Sequence, residues 1–64
     1  MNILFIGDIF GRPGRDLVRR GIGALVERFE ADLVIANVEN AAGGFGITRE
    51  VCEAVASCGV DVMT

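Results

Sequence analysis

Two short acid-bearing segments hold the side chains best suited to chemistry: Gly7-Asp8-Ile9-Phe10-Gly11 and Asn37-Val38-Glu39-Asn40-Ala41. Each follows an apolar run, so each carboxylate stands just past a strand. If the two strands run parallel in an open α/β sheet, Asp8 and Glu39 reach the same carboxyl edge, where such sheets form their ligand crevice. Two carboxylates placed there can hold metal ions or exchange protons. Asp8 has a second reading, because an Asp after a strand also caps the following turn through backbone amides. Glu is a poor turn former, and Glu39, between a strand and a Gly-rich loop, reads as a ligand or base. Asn40 can ligate a hard cation through its carbonyl oxygen or close an Asx turn.

Neighbouring residues extend the same edge. The small residues of Ala41-Ala42-Gly43-Gly44-Phe45-Gly46 permit close approach, and their amides precede a helix N-terminus, which suits an anion such as phosphate. Gly43 and Gly44 are the candidate contacts, and a flexible connector is the competing reading. The stretch is not a P-loop, since no Gly-Lys-Ser/Thr follows, and its glycines do not fit the dinucleotide fingerprint. Arg12 and Arg15 flank the first turn and either meet an anionic substrate or form a solvated face. Phe10 and Phe45 either wall a nucleobase or pin their loops to the body, and pinning is the expectation.

The elements that must position these residues follow from the apolar pattern. Asn2 to Gly7 and Asp32 to Asn37 are continuous apolar stretches, as strands covered on both faces require. After a turn at Gly11-Arg12-Pro13-Gly14, Leu17, Val18, Ile22, Leu25, Val26 and Phe29 recur at helical spacing, with Asp16 in the first turn and Arg28 near the last. Gly21 and Gly23 weaken this helix and suggest close packing on the sheet. Thr48 is an N-cap for a helix through Ser57, with Glu50 at its positive end, Val51, Cys52, Val55 and Ala56 as its apolar face, and Gly59 as its C′ residue. Val60 to Thr64 begins a third strand. The order is βαβαβ, an α/β class with three parallel strands and right-handed crossovers.

The chain has 64 residues, enough for one small domain that buries only about 60% of its unfolded surface. Six Arg against nine Asp plus Glu, a net charge of −3, gives no basic field for general nucleic-acid binding. The opening apolar run is too short for a signal-peptide core or a bilayer span, so a cytoplasmic setting without a membrane is expected. Cys52 and Cys58 fit neither a CxxC nor a zinc spacing and read as reduced, packed thiols, and His is absent. Because nothing after Thr64 covers the third strand, residues 1–64 read as the incomplete N-terminal part of one longer domain. A miniature domain hiding its apolar edges in a homo-oligomer is the alternative.

Gly-Asp-Ile-Phe-Gly-Arg-Pro-Gly at 7–14, Val-Ile-Ala-Asn-Val-Glu-Asn-Ala-Ala-Gly-Gly-Phe-Gly-Ile-Thr at 34–48 and Gly-Val-Asp-Val-Met-Thr at 59–64 closely resemble the start of the bacterial YmdB-like metallophosphoesterases. These belong to the calcineurin-like superfamily and include 2′,3′-cyclic-nucleotide 2′-phosphodiesterases. The resemblance implies that Asp8 ligates a first metal, Glu39 bridges two metals and Asn40 completes the near coordination. It implies two divalent or mixed-valence ions, iron or manganese with magnesium as a further option, and a cyclic nucleotide as substrate. Phe10 stands where many superfamily members carry the His of Asp-x-His, and Glu39 where they carry a bridging Asp. The resemblance also implies a two-sheet sandwich of which this chain is the opening portion, with the proton-donating His and further His ligands beyond Thr64. The activity is therefore expected of the longer protein and not of these residues alone. A non-catalytic nucleotide- or phosphate-binding α/β module is the competing class. A domain using Asp8 as a covalent phosphate acceptor is disfavoured, because Ile9 and Phe10 give it no acidic neighbour.

Overall fold

A computed structural model describes residues 1–43 and 46–64. The elements follow in the expected order: β1 (Ile3–Ile6), α1 (Gly11–Phe29), β2 (Leu33–Ala36), α2 (Arg49–Ser57) and β3 (Val62–Met63). The strands are parallel, in the order β1-β2-β3, so β2 is central. Each strand is shorter than its apolar run.

Both crossovers step the same way across the sheet, and right-handed connections then place both helices on one face. That face is the core. Leu4 and Ile6 of β1, Val34 and Ala36 of β2, and Met63 of β3 meet Val18, Ile22 and Val26 of α1 and Val51 and Val55 of α2. Ile22, Val34 and Val55 are essentially fully buried, and each such side chain contributes about 1.5–3 kcal/mol through its removal from water. Truncating Ile22 to Ala costs more than that transfer energy, because a cavity remains between α1 and the sheet.

The opposite face of the sheet differs from the expectation of strands covered on both sides. The register Ile3↔Leu33 and Phe5↔Ile35↔Val62 lines up five apolar side chains there. Ile3, Phe5 and Val62 are exposed, and Leu33 and Ile35 are half-buried. With only two helices, both on one side, these residues have no covering layer among the described residues.

Helix α1 begins earlier than the sequence pattern suggests. Gly11 to Gly14 is its first turn and not a separate turn before it, and the Gly14 amide donates to the Phe10 carbonyl at 3.1 Å. Proline fits there because its fixed φ is helical and its missing N–H would have had no intrahelical acceptor. Asp16 consequently lies beyond the first turn, which holds no acid, and it pairs with Arg19 at 3.8 Å in solvent. The apolar stripe is also narrower than expected. Val18, Ile22 and Val26 face the core, whereas Leu17, Leu25 and Phe29 are exposed. Gly21 and Gly23 do not mark a close approach, since a Cβ at either would meet nothing within 4 Å. The helix ends at Glu30, a non-glycine in the left-handed region (φ 51°), where the Glu30 and Ala31 amides donate to the Glu27 and Val26 carbonyls.

Helix α2 matches its sequence signals closely. Thr48 is extended and its Oγ1 accepts from the Val51 amide at 3.2 Å, Glu50 lies in the first turn, and Gly59 follows the end with φ 117°. Val55 is buried, Val51 and Cys52 are half-buried, and Ala56 is exposed. Cys52 and Cys58 are both free thiols.

Candidate functional site

The two acid-bearing segments meet as their positions after parallel strands required. Beyond the last ladder pair the strands remain tied: the Asn37 amide donates to the Ile6 carbonyl at 3.0 Å, and the Ile9 amide to the Asn37 carbonyl at 3.1 Å. These bonds carry the β1 and β2 alignment into the loops. As a result, Asn40 Nδ2 donates to Asp8 Oδ1 at 3.1 Å across 32 residues of sequence. Glu39, the preceding residue, is exposed, with Asn37 Nδ2 a long 3.5 Å from its Oε1. Asp8 and Asn40 thus meet at the carboxyl edge, and Glu39, adjacent to Asn40 in the chain, lies exposed on the same edge.

The backbone fixes this cluster from below. The Asn40 carbonyl accepts from the Gly11 amide at 3.0 Å and the Gly43 amide at 3.2 Å, and the Ala41 amide closes a turn onto the Val38 carbonyl at 3.0 Å. Gly11 is buried with φ +60°, a conformation open to glycine at little cost, and an added Cβ would lie 3.7 Å from Gly43 Cα. At Gly14 an added Cβ would meet Ile9 Cγ2 at 3.3 Å and the Ile9 carbonyl carbon at 3.4 Å, so the missing side chain lets α1 close on the β1 loop. Ile9 fills that junction and is 2% exposed.

The side chains sort differently from several expectations. Asp8 does not cap α1: its N-cap, Phe10, has no side-chain cap bond, and the Asp8 carboxylate engages Asn40 instead. Phe10 is 58% exposed, so it does not pin its loop; Ile9 does, because the extended backbone turns alternate side chains to opposite sides. Arg15 neither lies on a solvated face nor reaches outward toward an anion. Its Nη1 donates to the Ala41 carbonyl at 2.6 Å. Arg12 is exposed on the first turn of α1. The Gly43 amide is engaged with Asn40, and Gly43 itself is exposed with φ +73°. Gly44 and Phe45 lie outside the described residues. The role of Arg15 had no signal in the sequence, because its partner is a backbone carbonyl 26 residues away.

Chemically, the cluster is a set of hard oxygens: two carboxylates and one carboxamide. Such oxygens suit magnesium, manganese or ferrous iron, and with Asn40 Nδ2 turned to Asp8, the Asn40 Oδ1 and Asp8 Oδ2 have no hydrogen-bond donor among the described residues. Among the described residues no group of three or more His, Cys, Asp or Glu comes together. The donor set therefore fits part of a coordination shell and not a whole one. A cavity of about 420 Å³, lined by Met1, Asn2, Ile3, Leu4, Phe29 and Ala31, lies at the other end of the sheet. Its position at the amino edge separates it from the acids. Among the described residues no helix is long and apolar enough to cross a membrane.

Comparison with known proteins agrees with this fold. A family model described as "YmdB-like protein" matches residues 4–64. The chain is 41% identical over all 64 residues to the 2′,3′-cyclic-nucleotide 2′-phosphodiesterase of Bacillus subtilis (strain 168), of which it spans 24%. Among solved structures, it is similar to a phosphatase from Mycoplasma pneumoniae, with a TM-score of 0.93 and 33% identity over 95% of this chain and 22% of that one. A hypothetical protein from Thermus thermophilus gives a TM-score of 0.87 and 41% identity over 98% of this chain and 24% of that one. The βαβαβ unit is thus the arrangement found in a portion of these longer chains.

Proposed function

The chain belongs to the YmdB-like protein family, and from that premise we propose that it supplies the first oxygen ligands of a phosphodiesterase centre acting on 2′,3′-cyclic nucleotides. Residues 1–64 would form the opening part of a single longer domain, and the activity is that of the whole protein. The observation that carries this reading is the meeting of Asp8 and Asn40 at 3.1 Å, with Glu39 beside them, at the carboxyl edge of a parallel sheet. The name of the Bacillus subtilis relative supports the substrate class.

In this reading Asp8 and Glu39 would be anionic ligands of two divalent or mixed-valence ions, and Asn40 a neutral one. By donating Nδ2 to Asp8 Oδ1, Asn40 fixes the rotation of that carboxylate and leaves its second oxygen for a cation. When bound, such ions lower the pKa of water and neutralise the charge of a phosphate ester. Arg12, exposed beside this edge, offers a guanidinium to the phosphate, and the missing side chain at Gly43 leaves room for it to approach. The chain contains no His, so the acid for the departing 2′ oxygen comes from the remainder of the whole protein.

The test measures metal content and hydrolysis of 2′,3′-cyclic nucleotides together, on the full-length protein and on residues 1–64. Turnover with about two ions per chain in the full-length protein only is the expected result. Absence of both metal and turnover in the full-length protein would overturn the assignment and leave a phosphate-binding module in its place.

A further inference from the structure

The loop that carries Glu39 and Asn40 is held in place by an arginine outside the acid-bearing segments. Arg15 lies on α1 just past its first turn, is half-buried, and donates Nη1 to the Ala41 carbonyl at 2.6 Å. Ala41 is fully buried, and in such a place an acceptor needs a partner. The neighbouring Arg19 behaves differently and pairs with Asp16 in solvent. Arg15 lines a groove between α1 and α2 with Ile9, Val18, Ala54, Val55 and Cys58. The same helix therefore grips the loop twice: the Gly11 amide holds the Asn40 carbonyl and the Arg15 guanidinium holds the next one. Charged donors make the stronger hydrogen bonds, so the guanidinium adds to the backbone bonds that anchor this loop.

We propose that Arg15 is a positioning residue, which fixes the Glu39-Asn40-Ala41 turn on α1 so that the Asn40 side chain meets Asp8. It acts through the Ala41 carbonyl and touches neither substrate nor metal. The inference rests on the assignment of Asp8, Glu39 and Asn40 as the site, and its test also has a readout independent of turnover.

The experiment compares full-length wild type with Arg15→Met, which keeps the apolar stem but removes the donor, and Arg15→Lys, which restores a donor. Amide hydrogen exchange over residues 37–43, thermal midpoint, and kcat and KM for 2′,3′-cyclic AMP are measured on each. In Arg15→Met the expected result is exchange at least about tenfold faster, confined to 37–43, and a kcat reduced about ten- to hundredfold with KM within about twofold. Arg15→Lys recovers most of both. Unchanged exchange at 37–43 would overturn the proposal, as would a raised KM with kcat intact, the mark of a direct substrate contact. A lower thermal midpoint with uniformly faster exchange and normal kcat would overturn it too, leaving a purely structural role. If Arg15→Met does not fold, Arg15→Gln, polar but too short to reach the Ala41 oxygen, takes its place in the same comparison. An inactive wild type would sink the phosphodiesterase assignment, while the exchange comparison still decides the role of Arg15.

Discussion

The two ends of the sheet use the same residue types in opposite ways. At the amino edge Asn2, Asp32 and Asp61 precede the three strands, and each spends its side chain on the backbone. Asp32 Oδ2 accepts from the Asn2 amide at 2.8 Å, Asp61 Oδ2 accepts from the Val34 amide at 2.9 Å, and Asn2 Nδ2 donates to the Phe29 and Glu30 carbonyls at 3.1 Å each. At the carboxyl edge, among the described residues, the side chains of Asp8, Glu39 and Asn40 bond to other side chains, while the backbone beneath them is satisfied by other backbone groups and by Arg15. An acid that completes a ladder is spent on the fold. An acid held on a ladder already complete is available to a ligand.

The largest expected effect separates the two edges by activity. Asp8→Asn and Glu39→Gln in the full-length protein should each lower turnover on a 2′,3′-cyclic nucleotide by more than about a hundredfold. Steady-state kinetics alongside circular dichroism would show it, and near-normal turnover in either variant would break the contrast. Asp61→Ala should act on stability instead. It strips the acceptor from the amide of Val34, which is 3% exposed, and an unpaired buried donor costs about 1–3 kcal/mol. Asp61→Asn, which retains an oxygen, should recover most of that loss in urea unfolding.

A smaller effect is expected at Asn2→Ala, which uncaps the last carbonyls of α1 at a solvent-exposed site and should cost about 0.5–1.5 kcal/mol in the same measurement. The smallest is the stability change of Glu39→Ala, within about 0.5 kcal/mol, because its side chain is exposed and completes no backbone bond among the described residues. A loss at Glu39 as large as that at Asp61 would mean that the carboxyl edge also serves the fold.

Much of the architecture was legible because local physics decides it. The Thr48 cap, the Glu50 position, the Gly59 stop and the strand-like runs each depend on a few neighbouring residues, and each element formed where those signals stood. The start of α1 was not legible, since Pro13 reads as a turn breaker although a helix accepts it in its first turn. Leu17 and Val18 could not be ranked from periodicity, because one residue of rotation about the helix axis decides which side faces the sheet. The placement of Asp8 and Glu39 at one edge was legible because two apolar runs followed by acids need only parallel strands to deliver both there.

The sequence by itself determined the element order, the family, and the delivery of Asp8, Glu39 and Asn40 to one edge, because strand and helix signals and motif spacing are short-range properties of the chain. Only the tertiary structure decided that Asn40 and not a backbone amide takes Asp8, that Arg15 turns inward to Ala41, and that Asp61 completes the sheet at Val34. Those bonds join residues 26 to 32 positions apart. Their partners are chosen by how two crossovers pack on one face of the sheet, which no local pattern encodes.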